Sequence, residues 1–402
     1  MDVPVVLSHK TAWLVYGALG APGARERMEG FLFDPMDIKP SNVVHKIRCL
    51  LCAIGVPEEE LERIDIVSAF RLGRTGSRDF RTHVFGRVIP EQLLRELVPG
   101  LYVVSPELAF VQGATWMDEL DLIVWGFELC GRYRLAHLRG GPSAESSLPP
   151  GGATASAPSV RPPRVRAGAS SRADGYRAVG SEAGPCASGV PAVFSEEGAQ
   201  RAGSGSRVGR EGDGVYGDQG YIEAAPLASV DGIRQAMSLM GGVRGSKRAD
   251  RALVRVRDGA RSPMEAAVAL LVMLPKDRGG LGYLGIEMNH GLAVPDSLRS
   301  VYAHPSIELD IYAPHRRLDI EYDGSAHSGL DRRTHDADRA SVLAAIGINT
   351  RTLTARHLAN QLELYRALGG IASLLDVPYP SSAEYQHAQN DLRSKLIGGW
   401  KG

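Results

Sequence analysis

The chain lacks the features that would assign it to a membrane, secreted or strongly charged class. It has 402 residues, of which four are cysteine, and its 46 lysines and arginines balance 46 aspartates and glutamates. No apolar run approaches the roughly 20 residues that span a bilayer, and no signal sequence is recognisable. We therefore expect a soluble, cytoplasmic protein with no membrane partner. Any affinity for nucleic acid must come from local basic patches rather than from net charge.

The few cysteines indicate a reducing compartment and no zinc site. Cys49 and Cys52 form a C-x-x-C pair inside the apolar run IRCLLCAIGV. No second pair and no pair of histidines completes a metal site. We expect both thiols to be core residues of a helix.

Composition changes sharply in the middle of the chain. Residues 140–220 are dominated by glycine, serine, alanine, proline and arginine, with few large apolar side chains. Such a segment buries too little surface to offset its ordering entropy, so we predict a disordered linker. The linker divides the chain into a small α+β N-terminal domain at 1–139, a basic helical connector at 221–261, a C-terminal α/β domain at 262–376 and a tail at 377–402.

A basic stretch precedes the C-terminal domain. Val243 to Arg261 contains seven cations and only two acids, Asp250 and Asp258. This pattern is typical either of an arm that contacts phosphates or of a solvated helix face. The cations are Arg244, Lys247, Arg248, Arg251, Arg255, Arg257 and Arg261.

A predicted hairpin carries the most informative pair of residues. Ile307 to Gly324 (IELDIYAPHRRLDIEYDG) alternates apolar and polar residues on both sides of a Pro-containing turn, which indicates antiparallel strands. If Pro314 to Arg317 form a four-residue loop, Asp310 lies directly opposite Glu321. Opposed residues have Cβ atoms about 4.5–5.5 Å apart. Two carboxylates that close repel unless protonated or bridged by a cation such as Mg²⁺; the alternative is the solvated face of an edge hairpin.

Residues around this pair extend it into an ordered motif, E…D…ExDG…H…D..R…L…G. Over about residues 255–376, the order resembles that of the very-short-patch-repair-like branch of PD-(D/E)XK nucleases. The positions that carry the resemblance are Glu265, Asp310, Glu321, Asp323, Gly324, His327, Asp336, Arg339, Leu343 and Gly347.

The resemblance implies a restriction-endonuclease-like fold, in which a mixed sheet of about four strands is flanked by helices. Asp310 and Glu321 would bind Mg²⁺ or Mn²⁺ from adjacent strands. Glu265 would point into the site from the first helix, and Asp323 and His327 would line its rim.

Two of these positions leave alternatives open. Asp323 stands where the family's E-x-K signature usually has the lysine that orients the attacking water. His327 is then the best local candidate for a proton relay. Glu265 follows Ser262 by three residues, which is the spacing of a capping box, so a purely structural role competes with a catalytic one.

The function that these features favour is a Mg²⁺-dependent endonuclease acting on DNA, in genome defence or repair. The alternative is a catalytically inactive nuclease fold that binds DNA as a regulator or antitoxin-like protein. The N-terminal half resembles AbiEi-type antitoxin proteins in two short motifs, SHKTA at Ser8 to Ala12 and SPELAF at Ser105 to Phe110. This resemblance transfers no functional residues. The N-terminal domain would supply targeting or bind a protein partner.

Overall fold

The described part of the chain contains three β-sheets with helices packed against them, which confirms the predicted α/β class. The computed structural model describes residues 5–20, 23–29, 31, 40–68, 78–135, 221–324 and 330–398. The predicted linker at 140–220 and His327 lie outside these ranges.

The strands are β1 (Val5–Leu7), β2 (Ile64–Ser68), β3 (Phe80–Val84), β4 (Leu94–Val98), β5 (Leu101–Val104), β6 (Tyr133–Leu135), β7 (Tyr221–Glu223), β8 (Glu287–Ala293), β9 (Ser306–Ala313), β10 (Leu318–Asp323) and β11 (Asn349–Thr354). The α-helices are α1 (His9–Leu19), α2 (Ala24–Met28), α3 (Pro40–Ala53), α4 (Pro106–Gly113), α5 (Glu119–Cys130), α6 (Val230–Met240), α7 (Ser246–Leu253), α8 (Pro263–Met273), α9 (Leu330–Ala345), α10 (Ala355–Ala359), α11 (Gln361–Leu375) and α12 (Ala383–Gly398).

The N-terminal sheet has five strands in the order β3-β2-β1-β5-β4. Strand β1 pairs parallel with β5 and antiparallel with β2, and β2 pairs parallel with β3. Helix α4 follows β5 directly because Ser105 caps it: the hydroxyl accepts a hydrogen bond from the amide of Leu108.

Helix α3 buries the apolar face that its periodicity predicted, while its two cysteines face outward. Val44, Ile47 and Leu51 are buried on the core side. Cys49 and Cys52 are exposed, so the prediction that they are core residues is wrong. The two cysteines follow Ile47 by two and five residues. Because an α-helix has about 3.6 residues per turn, these positions point away from the buried face.

The C-terminal sheet is a mixed sheet of four strands in the order β11-β10-β9-β8, in which only β10 and β11 run parallel. Strands β9 and β10 form the predicted hairpin. Leu318 pairs with Ala313 across a loop of four residues, which confirms the predicted register. Continuing that register places Glu321 opposite Asp310.

The stretches before and after residues 136–220 contribute to one hydrophobic core and belong to one compact unit. Strand β6 pairs antiparallel with β7, and α5 contacts both α7 and α8. Helix α5 lies close to Val256 at Gly126, because a Cβ added to this glycine would lie 2.6 Å from Cγ2 of Val256. The basic stretch therefore includes a helix, α7, that packs into the body of the molecule.

The last described helix also belongs to this core. Leu392 and Leu396 of α12 are buried, and the helix contacts α8. This end of the chain is thus a packed helix rather than the peripheral tail that we expected. Among the helices that the structure describes, none combines the length and apolar character required to cross a bilayer.

Candidate active site

One row of polar residues runs across the C-terminal sheet. Strand β8 pairs with β9. The residues on each side of Asn289 pair with the residues on each side of Asp310, so Asn289 and Asp310 lie opposite each other. The β9–β10 register places Glu321 on the other side of Asp310. Glu321 in turn pairs with Thr352 of β11. The sheet thus aligns Asn289, Asp310, Glu321 and Thr352 as neighbours on four adjacent strands.

Helix α8 supplies Glu265, whose carboxylate has fixed partners. The Ser262 hydroxyl caps the helix by accepting from the Glu265 amide at 3.1 Å, and it also contacts Glu265 Oε1 at 3.1 Å. Glu265 Oε2 accepts hydrogen bonds from the Arg261 amide at 2.9 Å and from Asn289 Nδ2 at 2.8 Å. Ser262 therefore caps the helix as expected, but Glu265 bonds the amide of Arg261 rather than the Ser262 amide of a capping box, and these contacts hold the carboxylate next to the row.

Asp310 is half-buried and lies among other acids. Burial, followed by the charges of Glu265 and Glu321, raises the pKa of Asp310 to about 7. The amide of Tyr322, which donates to Asp310 Oδ2 at 3.3 Å, opposes part of this shift. At neutral pH this carboxyl is poised between its two protonation states, and a cation beside it would favour the charged form.

The structure adds two residues that the sequence analysis did not place in the site. Asp319 is fully buried, and its burial and the neighbouring Glu321 raise its pKa. Arg339 of α9 is paired with Glu321, lies 3.5 Å from Asp319 Oδ2 and donates to the Glu308 carbonyl at 2.8 Å. Arg339 therefore partly neutralises the acids on β10.

Two acceptor atoms of this region lack a hydrogen-bond donor within the described ranges: Asp319 Oδ1 and Asn289 Oδ1, both sealed from solvent. An unpaired buried oxygen is costly unless a proton, water or cation satisfies it. The donor set, carboxylates and one amide oxygen, has the chemistry that a hard divalent cation requires. Among the described residues, no three acidic, histidine or cysteine side chains form a metal-binding group by themselves.

The other predicted positions fall at the edge of this group or outside it. Asp323 ends β10, is exposed and pairs with Thr354. His327 lies outside the described residues, so its part in the site stays a prediction. The structure thus brings Glu265, Asp310 and Glu321 together and leaves Asp323 at the rim.

Two half-exposed arginines lie beside the acids. Arg261 contacts Glu308 at 2.6 Å, and Arg132 lies 4.0 Å from the same carboxylate. Their side chains are 43% and 49% exposed, so both guanidinium groups remain accessible to an anion. Not every cation of the basic stretch is available in this way, because Arg257 donates to the Ile286 carbonyl and Arg255 lies 3.8 Å from Glu119.

The missed residues differ in the signal they left in the sequence. Asp319 precedes Glu321 by two residues on one strand, so the alternation that placed Glu321 on the polar face placed Asp319 there too. Asn289 left a weaker signal, because nothing in its surroundings indicated its partner strand.

No protein-family model, curated protein or solved structure matches the chain.

Proposed function

We propose that the protein is a metal-dependent endonuclease that hydrolyses phosphodiester bonds in DNA. The observation that carries this proposal is the alignment of Asp310 with Glu321 on adjacent strands, with burial and like charge raising the pKa of Asp310. The resemblance to PD-(D/E)XK nucleases, with its restriction-endonuclease-like fold, supports the same function.

Each residue has a defined task in this proposal. Asp310 and Glu321 would hold Mg²⁺ or Mn²⁺, which when bound polarises a phosphoryl oxygen and makes a water more acidic. Glu265 orients the site through its fixed hydrogen bonds. Arg132 and Arg261, which lie next to each other against Glu308, would contact the phosphate backbone near the scissile bond.

Two rim residues complete the proposal. The sequence places Asp323 where the family usually has lysine, so the proton transfer from the attacking water falls to His327. A positioned general base typically contributes about 10²–10⁴-fold. The proposal also includes a cytoplasmic location.

A second function is favoured by one contact. Arg339 already pairs with Glu321, which supplies a resident positive charge where a catalytic cation would bind. The absence of the signature lysine likewise favours a protein without catalytic activity. In that case the chain is an inactive nuclease fold that binds DNA as a regulator, with a protein partner bound by the N-terminal region.

The test is incubation of the purified full-length protein with single- and double-stranded DNA and RNA, in Mg²⁺, Mn²⁺ or EDTA. We expect cleavage of DNA that EDTA abolishes and that Asp310→Asn also abolishes. Binding of DNA without cleavage in either metal would favour the regulator. Cleavage at the wild-type rate by the Asp310→Asn protein would place the activity elsewhere in the chain.

A further inference from the structure

Asn289 occupies a strained position in the middle of a strand. Its φ is +46°, a left-handed conformation that few residues other than glycine adopt, although asparagine tolerates it better than most. The residues on both sides pair regularly with β9, so the strain is confined to the position opposite Asp310. Strain of this kind costs about 1–3 kcal/mol and concentrates at functional sites.

The orientation of the Asn289 amide is fixed by its partners. Its nitrogen donates to the Gly259 carbonyl at 3.0 Å and to Glu265 Oε2 at 2.8 Å. Both partners are acceptors, so the nitrogen must face them and the oxygen must face elsewhere. Asn289 Oδ1 is sealed from solvent and has no donor in the described part of the chain.

A second buried oxygen without a donor among the described residues lies two residues from Glu321 on the same strand. Asp319 is fully buried, and its Oδ1 has no hydrogen-bond donor within the described ranges. Two unpaired acceptors beside Asp310 and Glu321 fit a cation better than another anion or an apolar group. A neutral amide suits this place, because one more carboxylate next to Glu265 would add repulsion.

We infer that Asn289 supplies a neutral oxygen ligand to the divalent cation held by Asp310 and Glu321. This inference rests on the cation site of the proposed function. The amide nitrogen of Asn289 holds Glu265 in place, and its oxygen binds the cation, as asparagine carbonyls do at sites for hard cations. Asn289 thereby adds to the site a ligand that carries no charge.

Two variants separate binding from folding. Asn289→Gly removes the amide and keeps a residue that favours positive φ, so the backbone should be retained. Asn289→Asp keeps the shape and adds a charge. Asn349→Ala is the matched control, because Asn349 is an exposed asparagine at the far edge of the same sheet.

The measurement is titration calorimetry of each full-length protein with Mg²⁺ or Mn²⁺ alone, together with the rise in Tm that the cation causes. We expect Asn289→Gly to weaken the Kd at least about 10-fold, the lower end of what loss of a supporting group costs a metal site. Asn289→Asp should melt below the wild type without cation and show a larger rise in Tm with it. Asn349→Ala should match the wild type.

A Kd for Asn289→Gly within twofold of the wild type would overturn the inference, as would equal rises in Tm in Asn289→Asp and the wild type. Wild-type protein that binds neither cation would overturn it too. Cation binding that depends on Asn289, in a protein that cleaves no nucleic acid, would retain the inference and reject the nuclease. Cleavage lost in Asp310→Asn, with an unchanged Kd in Asn289→Gly, would reject the inference alone.

Discussion

Two regions of the molecule bury ionisable groups. Burial lowers the pKa of a histidine in one region and raises the pKa of an aspartate in the other. In the N-terminal polar set, His83 Nε2 contacts Asp65 Oδ1 at 2.8 Å and the His9 ring stacks on His83 with centroids 3.4 Å apart. Burial, followed by the charge of His83, lowers the pKa of His9 to about 3. In the candidate active site, burial and two acids raise the pKa of Asp310 to about 7.

The two regions differ in the atoms that they leave unpaired. Gln112 contacts the N-terminal polar set by accepting a hydrogen bond from the His9 amide, and within the described ranges its unpaired atom is a donor, Nε2, which does not attract a cation. The unpaired atoms beside Asp310 are acceptors, on Asn289 and Asp319. Burial alone therefore does not distinguish the two regions; the region around Asp310 differs by combining like charges with unpaired acceptors, which is the basis of the proposed cation site.

The largest expected effect is on cleavage. Asp310→Asn should reduce single-turnover cleavage of DNA at least about 10³-fold, because a bound metal stabilises the transition state by several kcal/mol. His9→Gln, which changes a buried group of the other region, should leave the rate within twofold. Equal losses in both variants would show that the comparison between the regions is wrong.

The next effect is on folding. Arg339→Gln leaves Asp319 and Glu321 without their cation and should lower the free energy of unfolding by about 3–5 kcal/mol at pH 8, measured by urea denaturation. Mg²⁺ should restore part of the loss. Arg299→Gln is the control, since Arg299 forms an exposed pair with Asp296 at 3.1 Å and its loss should cost less than about 1 kcal/mol. A loss under 1 kcal/mol in Arg339→Gln would mean that the acids are already neutral.

The two regions should also give opposite pH dependences. His9 has a folded pKa of about 3, below its ordinary value of 6.5, so its contribution to stability is present above pH 6.5 and is lost as the pH falls towards 3. Asp310 has a folded pKa of about 7, above its ordinary value of 3.8, so its contribution is present below pH 3.8 and is lost as the pH rises through 7. Each is at most about 5 kcal/mol.

Between about pH 4 and 6.5 these two contributions offset each other in the wild type. As the pH rises, we expect the wild type to lose stability relative to the Asp310→Asn variant. As the pH falls, the wild type should lose stability relative to the His9→Gln variant. Urea denaturation at several pH values measures both, and two slopes of the same sign would contradict the assignment of the shifts.

The smallest effect compares two helix caps. Ser262→Ala and Ser105→Ala each remove an N-cap hydroxyl and should each cost about 1 kcal/mol in thermal or urea unfolding. Only the hydroxyl of Ser262 also contacts the Glu265 carboxylate. Ser262→Ala should therefore weaken Mg²⁺ binding as well, while Ser105→Ala should not. Equal Mg²⁺ affinity in the two variants would limit Ser262 to its capping role.

Local patterns predicted the local geometry of the site. Alternation and the loop length gave the register of β9 and β10, because a period of two allows only one choice of face once the loop is set. Ser262 was recognisable as a cap from Glu265, which follows it by three residues. The ordered motif included Arg339 but could not show that its side chain turns towards Glu321.

Contacts between distant segments were not predictable from the chain. Asn289 lies opposite Asp310 through the pairing of β8 with β9, and a single sequence does not state which strands pair. The composition of residues 140–220 suggested separate domains, whereas the described stretches on both sides contribute to one core. Periodicity identifies which face of a helix is apolar, and it does not identify what covers that face.

The short ladder of β6 with β7 has a consequence for engineering. Leu135 and Tyr221 are paired neighbours, so the 85 residues numbered 136–220 leave and re-enter the body at one point. A division of the chain between these two strands would cut no helix or strand that the structure describes. Two polypeptides, 1–135 and 221–402, should therefore reassemble when expressed together. The acids of the candidate site would all lie on the second piece, and reassembly would add Arg132 of the first piece beside Glu308.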